Sequence, residues 1–413
     1  MSQEPAIPPE ASGLRHMLRT FRYRNYRLFF AGQGTSLIGT WMQRVATGWL
    51  AYRLTNSMFI LGLVGFLTQF PTLLLAPLGG LLADRVNKRR LLILLQSLSM
   101  AQAMVLALLV VFGHVQVWHI LVLTACLGAI NAFDVPVRQS FIVEMVEKRE
   151  DLGNAIALNS AMFNSARLIG PSVAGLLIAT LGEGACFLLN GLSYSVIIIA
   201  LLRMRLPERP REKARHQTAL QGMKEGFAYA WGSPVIRYLL LFLALVSLLG
   251  LPYAVLAPVY ARDILHGGPR TLGFIMSAVG VGALGGALFL ASRKNVSGLR
   301  RIIPLAAAVF GLGLAAFAYC RILPLSLFFI MAAGFGMTVH MASTNTLLQT
   351  LTADDKRGRV MSLYSMAFMG TAPFGSLLAG WAAARVGAPL TLLTGGVVCL
   401  AGAVVFGRAL RRA

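Results

Sequence analysis

Asp134, Arg138, Arg167 and Arg44 are the residues best placed to do chemistry, because each is ionisable and each falls inside an apolar stretch of membrane-spanning length. Charge in such a place is costly and by default marks a solute pathway or a binding site. Asn131, Asp134 and Arg138 follow an i, i+3, i+7 pattern and share one helix face, with Pro136 loosening the backbone between the two charges. Four residues apart, Asp134 and Arg138 are spaced either to neutralise each other or to let the carboxyl carry a proton. Ser160, Asn164 and Arg167 line a second face, followed by Gly170-Pro171 and Gly175. In the first apolar stretch Ser36, Thr40, Gln43 and Thr47 form a polar stripe beside Arg44, which lies too deep to reach the near surface easily. Further along, Tyr253 sits between Pro252 and Pro258, and His340 and Thr344 lie one turn apart. Arg44, Gln43, Asn131, Arg167, Asn164, Tyr253, His340 and Thr344 are therefore candidate substrate contacts. Asp134 and His340 are candidate proton carriers, and packing is the competing role for a lone His in an apolar helix.

The elements that hold these residues are membrane helices. The 413-residue chain is 57% hydrophobic and 13% charged, with a mean hydropathy of +0.70. Soluble domains carry about a quarter charged residues, so this is a membrane protein. A net charge of +22 could indicate nucleic acid, but most Lys and Arg cluster in the termini and in one alternate set of loops. That asymmetry places both termini in the cytoplasm and explains the charge without a nucleic-acid partner. Twelve apolar spans are expected, at about 28–52, 58–83, 91–112, 118–143, 154–179, 184–203, 236–261, 272–291, 302–320, 322–347, 360–384 and 389–407. The chain divides into a tail and interfacial helix over 1–27, a six-helix bundle over 28–203, a polar linker over 204–235, and a second six-helix bundle over 236–413. Within the linker, Leu220 to Trp231 has the pattern of an amphipathic helix. Cys126, Cys186, Cys320 and Cys399 lie in or against apolar runs without C-x-x-C spacing, and read as packing residues.

The two halves echo each other. Shifted by half the chain length, Gly128 falls on Gly334, Asp134 on His340 and Gln139 on Asn345. After a one-residue slip, Ser160 meets Ser365, Phe163 meets Phe368, Gly175 meets Gly380 and Gly182 meets Gly387. Parallel repeats of this length are a signature of secondary transporters. Between the second and third spans the chain reads GGLLADRVNKRR, residues 79–90. This resembles the loop signature G-x-x-x-D-R-x-G-[RK]-[RK] of the major facilitator superfamily, matched by Gly80, Asp84, Arg85, Lys88 and Arg89, with Asn87 replacing the second Gly. The resemblance implies a conformational latch. Asp84 would meet the amino end of the eleventh helix, at Arg357–Val360, where the helix dipole favours an anion. Lys88 would meet Glu144 at the foot of the fourth. Gly170, Pro171 and Gly175 partly match the fifth-helix motif of superfamily antiporters, with Ala166 and Val173-Ala174 departing from it.

Together with GTWMQ in the first span, the stretch NAFDVPVRQSF and DKRGRVMSLYSM before the eleventh, these residues resemble the branch of siderophore exporters of the enterobactin type and macrolide-efflux proteins. The resemblance covers about Arg22 to the carboxyl terminus. It implies an all-α protein of twelve helices in two bundles, with a cavity lined by helices 1, 4, 7 and 10. It also implies export of a small molecule against inward proton flow, without a cofactor, by a protein acting as a monomer among the lipids of a bacterial inner membrane. An enzyme is disfavoured because no His, Asp or Glu cluster has catalytic or metal-ligand spacing. No G-x-x-x-x-G-K-[ST] loop points to ATP, and a lipid flippase remains the other carrier reading. Within the spans, three Arg stand against a single well-buried acid. That excess favours an anionic substrate such as a carboxylate or catecholate siderophore, with neutral macrolide-like drugs as the alternative.

Overall fold

The computed structural model describes residues 19–146, 148–205, 219–293 and 298–412, and among them every regular element is helical. The first half contains α1 (Arg24–Thr55), α2 (Met58–Arg85), α3 (Lys88–Val111), α4 (Val117–Met145), α5 (Leu152–Leu181) and α6 (Glu183–Arg203). A short helix, α7 (Ala219–Gly232), precedes α8 (Pro234–Leu249) and α9 (Tyr253–Val259). Then come α10 (Pro269–Ala291), α11 (Leu299–Tyr319), α12 (Leu323–Leu351), α13 (Arg357–Ser365), α14 (Ala372–Val386) and α15 (Ala388–Arg412). Ten of the helical stretches are long and apolar enough to cross a membrane. The remaining long stretches, α1 and the α13–α14 run, carry more polar residues and lie alongside those ten.

Local chemistry explains where the helices start and turn. The Ser57 hydroxyl accepts from the Ile60 amide and caps α2, and the Asn87 side chain accepts from the Arg90 amide and caps α3. Asn87 thus serves as a helix cap, with φ −68°, and needs no left-handed backbone. Gly182 and Gly387 each form a single-residue link between two long helices, at φ +81° and +85°. Only glycine enters that region freely, so each link reverses the chain in one residue. Pro252 follows Gly250 where the seventh apolar span breaks into α8 and α9, and a π turn over Tyr260–Ile264 ends it. A second π turn, Met366–Gly370, interrupts the eleventh span between α13 and α14. Pro252 and Pro258 make the seventh span bendable, since proline withholds the amide that continuity requires, whereas the break in the eleventh was not expected.

The expected interfacial helix over the first residues lies outside the described residues up to Leu18. Its described part is a 3-10 turn, Arg19–Arg22, bound to protein, followed by the first residues of α1 up to Arg27. Arg19 and Arg22 reach Asp151 at 2.8 and 2.6 Å, and the Tyr23 hydroxyl donates to the same carboxylate at 2.7 Å. Asp151 is buried, and it gathers basic groups from the segment expected to be an interfacial helix.

Helices pack mainly within each half of the chain: α1 on α5 and α6, α2 on α4, α3 on α6, then α10 and α11 on α12 and α11 on α15. Two pairs, α2 with α14 and α5 with α10, carry most of the contact between the halves. The end of the molecule that holds Arg24 and Arg412 is called the near end below, and the opposite one the far end. At the far end the halves touch through backbone, with Gly62 against Gly380 and Gly175 against Gly273. The Tyr52 hydroxyl donates to Asp263 there, and Arg262 donates to Asn56 at 2.7 Å. At the near end, Gly80 and Gly358 have open space where a Cβ would stand.

Candidate substrate site

Trp41 organises the site. Its ring lies 4.8 Å from the Arg44 guanidinium carbon and 5.9 Å from that of Arg167. Phe163 meets the same ring edge-on at 5.7 Å. Trp41 can sit there because Gly170 has no side chain, since a Cβ at that position would fall 2.5 Å from the Trp41 Cβ. Tyr253, buried on α9, faces Arg167 and brings the second half to the cluster. Arg44 is about 17 Å along α1 from its far end, yet remains exposed among residues of α1, α5 and α9. Its guanidinium shares the Trp41 ring with that of Arg167, so the exposed surface of Arg44 lies on the side of α1 that meets α5. Asn164 lies one turn before Arg167, half-buried, and its amide donates to the Ser160 carbonyl at 2.9 Å.

Among the described residues neither Arg44 nor Arg167 has a carboxylate within ion-pairing distance; Asp134 is engaged elsewhere. Arg138 donates to Asp134 at 3.1 Å, and Gln96, from α3, donates to its other oxygen at 2.8 Å. The two guanidinium carbons are at most about 11 Å apart, the sum of their distances to Trp41. At an effective dielectric near 20, that like-charge repulsion is about 1.5 kcal/mol or more. An anion seated between them converts the repulsion into two attractions.

Several expected contacts lie elsewhere. Gln43 is buried in the first half, where it donates to Gln102 at 2.9 Å and accepts from Asn190 at 2.6 Å. It satisfies a polar network among α1, α3 and α6 and does not meet the cavity. Asn131 is half-buried on α4. His340 and Thr344 are fully buried inside the second half. The His340 ring stands edge-on to Phe242 at 4.8 Å, and its Nδ1 is 3.2 Å from the Ile303 carbonyl. This face of α12 points at α8 and α11, so His340 and Thr344 do not join Arg44 and Arg167.

Of the expected latch, Lys88 donates to Glu144 at 2.6 Å. Arg89 donates to the carbonyls of Leu201 and Leu202, both at 2.6 Å, and ties α3 to the end of α6. Arg85 is exposed. The Asp84 side chain lies outside the described residues. Gly79, one residue before the matched Gly80, is the glycine that α4 approaches closely, at Ala132. Gly175 is where α5 crosses α10, and Pro171 is buried beside it.

Sequence reasoning missed Trp41 and Phe163 as site residues, and Tyr52, Asn56, Arg262 and Asp263 as the polar contact of the far end. Trp41 had a signal: it precedes Arg44 by three residues and so shares its face. The far-end contact had none, because its partners are more than two hundred residues apart.

The family model described as transmembrane secretion effector matches residues 16–412. The chain is 29% identical to the multidrug efflux pump Tap of Mycolicibacterium fortuitum, covering 87% of this chain and 89% of that one. It is 25% identical to the staphyloferrin A transporter of Staphylococcus aureus, covering 85% and 88%. Among solved structures, a bacterial homologue of the human lysosomal transporter Spinster, inward-facing and occupied, superposes with a TM-score of 0.74 at 14% identity, covering 94% and 97%. The agreement runs over nearly the whole length, and the fold and the relatives alike are those of membrane transporters and not of enzymes. This chain belongs to the transmembrane secretion effector family of the major facilitator superfamily, as an efflux transporter.

Proposed function

We propose that this protein exports an anionic small molecule, of the carboxylate or catecholate siderophore kind, by alternating access of two six-helix bundles. In this reading α1 and the α13–α14 run complete twelve spans, and both termini face the cytoplasm of a bacterium, consistent with the basic near-end loops. The observation that carries it is the pair of guanidinium groups on Trp41 without a carboxylate partner among the described residues. Substrate enters from the near end, where Gly80 and Gly358 border open space. Its anionic groups settle between Arg44 and Arg167, and a flat portion stacks on Trp41 beside Phe163. Relief of the arginine repulsion favours closure of the near end around the substrate, and the far end then parts at its two glycine crossings. Asp134 is the proposed proton carrier. A proton arriving from the far side competes with Arg138 for the carboxylate, so uptake of H⁺ loosens α4 from its own ion pair. No cofactor takes part.

The test is a binding and transport panel in reconstituted vesicles, with matched anionic, neutral and cationic compounds on wild type, Arg44→Gln and Arg167→Gln. The expected result is a wild-type preference for anions that each variant weakens by about tenfold or more, in line with loss of a charge-assisted hydrogen bond. A wild-type preference for cations, or equal handling of anions by all three proteins, overturns the reading. A second reading, export of neutral hydrophobic drugs, is favoured by the aromatic surface of Trp41 and Phe163 and by the similarity to Tap. It predicts binding that survives both Arg variants and fails in Trp41→Ala.

A further inference from the structure

Helix α7 has two unlike faces. One is docked on the second half: Glu225 accepts from Arg359 and lies 3.8 Å from the Lys356 amine. Gly226 packs on Arg359, where a Cβ would stand 2.9 Å from the arginine's own. Tyr229 accepts from the Ala353 amide at 3.5 Å, and Ala230 is buried. The opposite face carries Phe227 and Trp231, one turn apart, with rings stacked at 5.0 Å and an interplanar angle of 17°. These two side chains are 54% and 49% exposed. The Arg237 guanidinium lies 5.7 Å from the Trp231 ring and 5.4 Å from that of Tyr238.

Position decides what covers that face. Ser233 alone separates α7 from α8, which opens one of the apolar spans. One residue reaches less than about 4 Å, so Trp231 stands at the level where α8 enters the hydrocarbon. One turn deeper on the Arg237 face, Leu241 is 43% exposed and faces the membrane. The aromatic pair thus continues the lipid-facing surface upward, with a cation at the boundary. Trp is enriched at that depth because its ring is amphipathic, and a neighbouring Arg attracts anionic headgroups.

We propose that the Phe227–Trp231 face of α7, together with Arg237, is a docking surface for the anionic phospholipid headgroup region at the near side of the membrane. The lipid holds α7 flat on the bilayer, and Glu225 passes that hold to the start of α13. This inference is independent of the substrate.

The experiment uses the full chain in lipid nanodiscs and reads the emission difference between wild type and Trp231→Phe, a variant that keeps an aromatic ring. Lipids brominated near the glycerol end are expected to quench this difference signal about twofold or more, and lipids brominated near the chain ends to leave it little changed. Replacing phosphatidylcholine by phosphatidylglycerol strengthens the shallow quenching, and Arg237→Gln removes that gain, since one basic group at the surface is worth about a fivefold local preference. A signal deaf to both brominated lipids but quenched by aqueous iodide puts the face in water and overturns the proposal. Equal quenching in the two headgroup backgrounds overturns its anionic part. A signal that responds only when two copies share one disc assigns the face to a second copy of the chain and overturns it as well.

Discussion

Gly380→Ala tests how the far end closes. A Cβ at Gly380 would lie 2.6 Å from the Gly62 Cα, 2.8 Å from the Met58 carbonyl oxygen and 2.9 Å from the Gly62 nitrogen. All three are backbone atoms of α2, so no side chain can rotate out of the way. Ordinary contact begins at 3.4 Å, and α2 and α14 must therefore separate by about 0.8 Å at this point, a degree of overpacking that costs about 1–3 kcal/mol. The strain exists only while the far end is shut. It therefore acts on the equilibrium between the two access states and multiplies the far-open population by about 5 to 150. The assay places a cysteine at Gly48, just inside the closed end beside Pro258, and measures labelling by a membrane-impermeant maleimide in a Cys126→Ser, Cys320→Ser background. Labelling is expected to accelerate in Gly380→Ala, with transport slowed, and to stay unchanged in the control Gly153→Ala, where space is open. Wild-type labelling together with wild-type transport in Gly380→Ala would show that the crossing relaxes without opening, and would refute the reasoning.

Other expectations follow from single groups. Asp84→Asn, judged from the loop signature, should fold normally and transport at a small fraction of the wild-type rate; a normal rate in vesicles removes the latch. Asp134→Asn should lose accumulation driven by a proton gradient while retaining substrate exchange, so surviving accumulation places the proton carrier elsewhere. Asp151 is pulled two ways: burial raises its carboxyl pKa, but the Tyr23 hydrogen bond and the Arg19 and Arg22 charges outweigh this and the net shift is downward. A depressed folded-state pKa means that the clamp's stability is fully present above the unfolded value of about 4 and is lost as pH falls through the folded value. Asp151→Asn should cost about 1–2 kcal/mol at neutral pH, discounted because both arginines are partly exposed, and should flatten the acid limb of the thermal melting profile. An unchanged acid limb would show that the clamp carries no pH-linked stability.

Most helices and their ends were legible in the chain, apart from the π turn that divides α13 from α14. Apolar runs of membrane length, Ser57 and Asn87 before new helices, and Gly182 and Gly387 between paired ones are local signals, and the backbone obeys them because each helix satisfies its own hydrogen bonds. Lys88 with Glu144 was legible for a different reason, through the loop signature that carries Lys88. Which face of each helix meets the cavity became visible only in how the helices pack. In a bilayer the lipid side and the packed side of a helix are equally apolar, so hydrophobic periodicity loses its direction. The polar stripe of α1 looked like a cavity wall, but Gln43 turned inward to Gln102 and Asn190, where burial demanded partners. His340, opposite Asp134 in the repeat, turned into the second half against Phe242. Arg44 and Arg167 are distant in sequence and meet only because Gly170 admits Trp41 between α1 and α5. Convergence of that kind depends on backbone approach between helices, and a single helix carries no record of its neighbours.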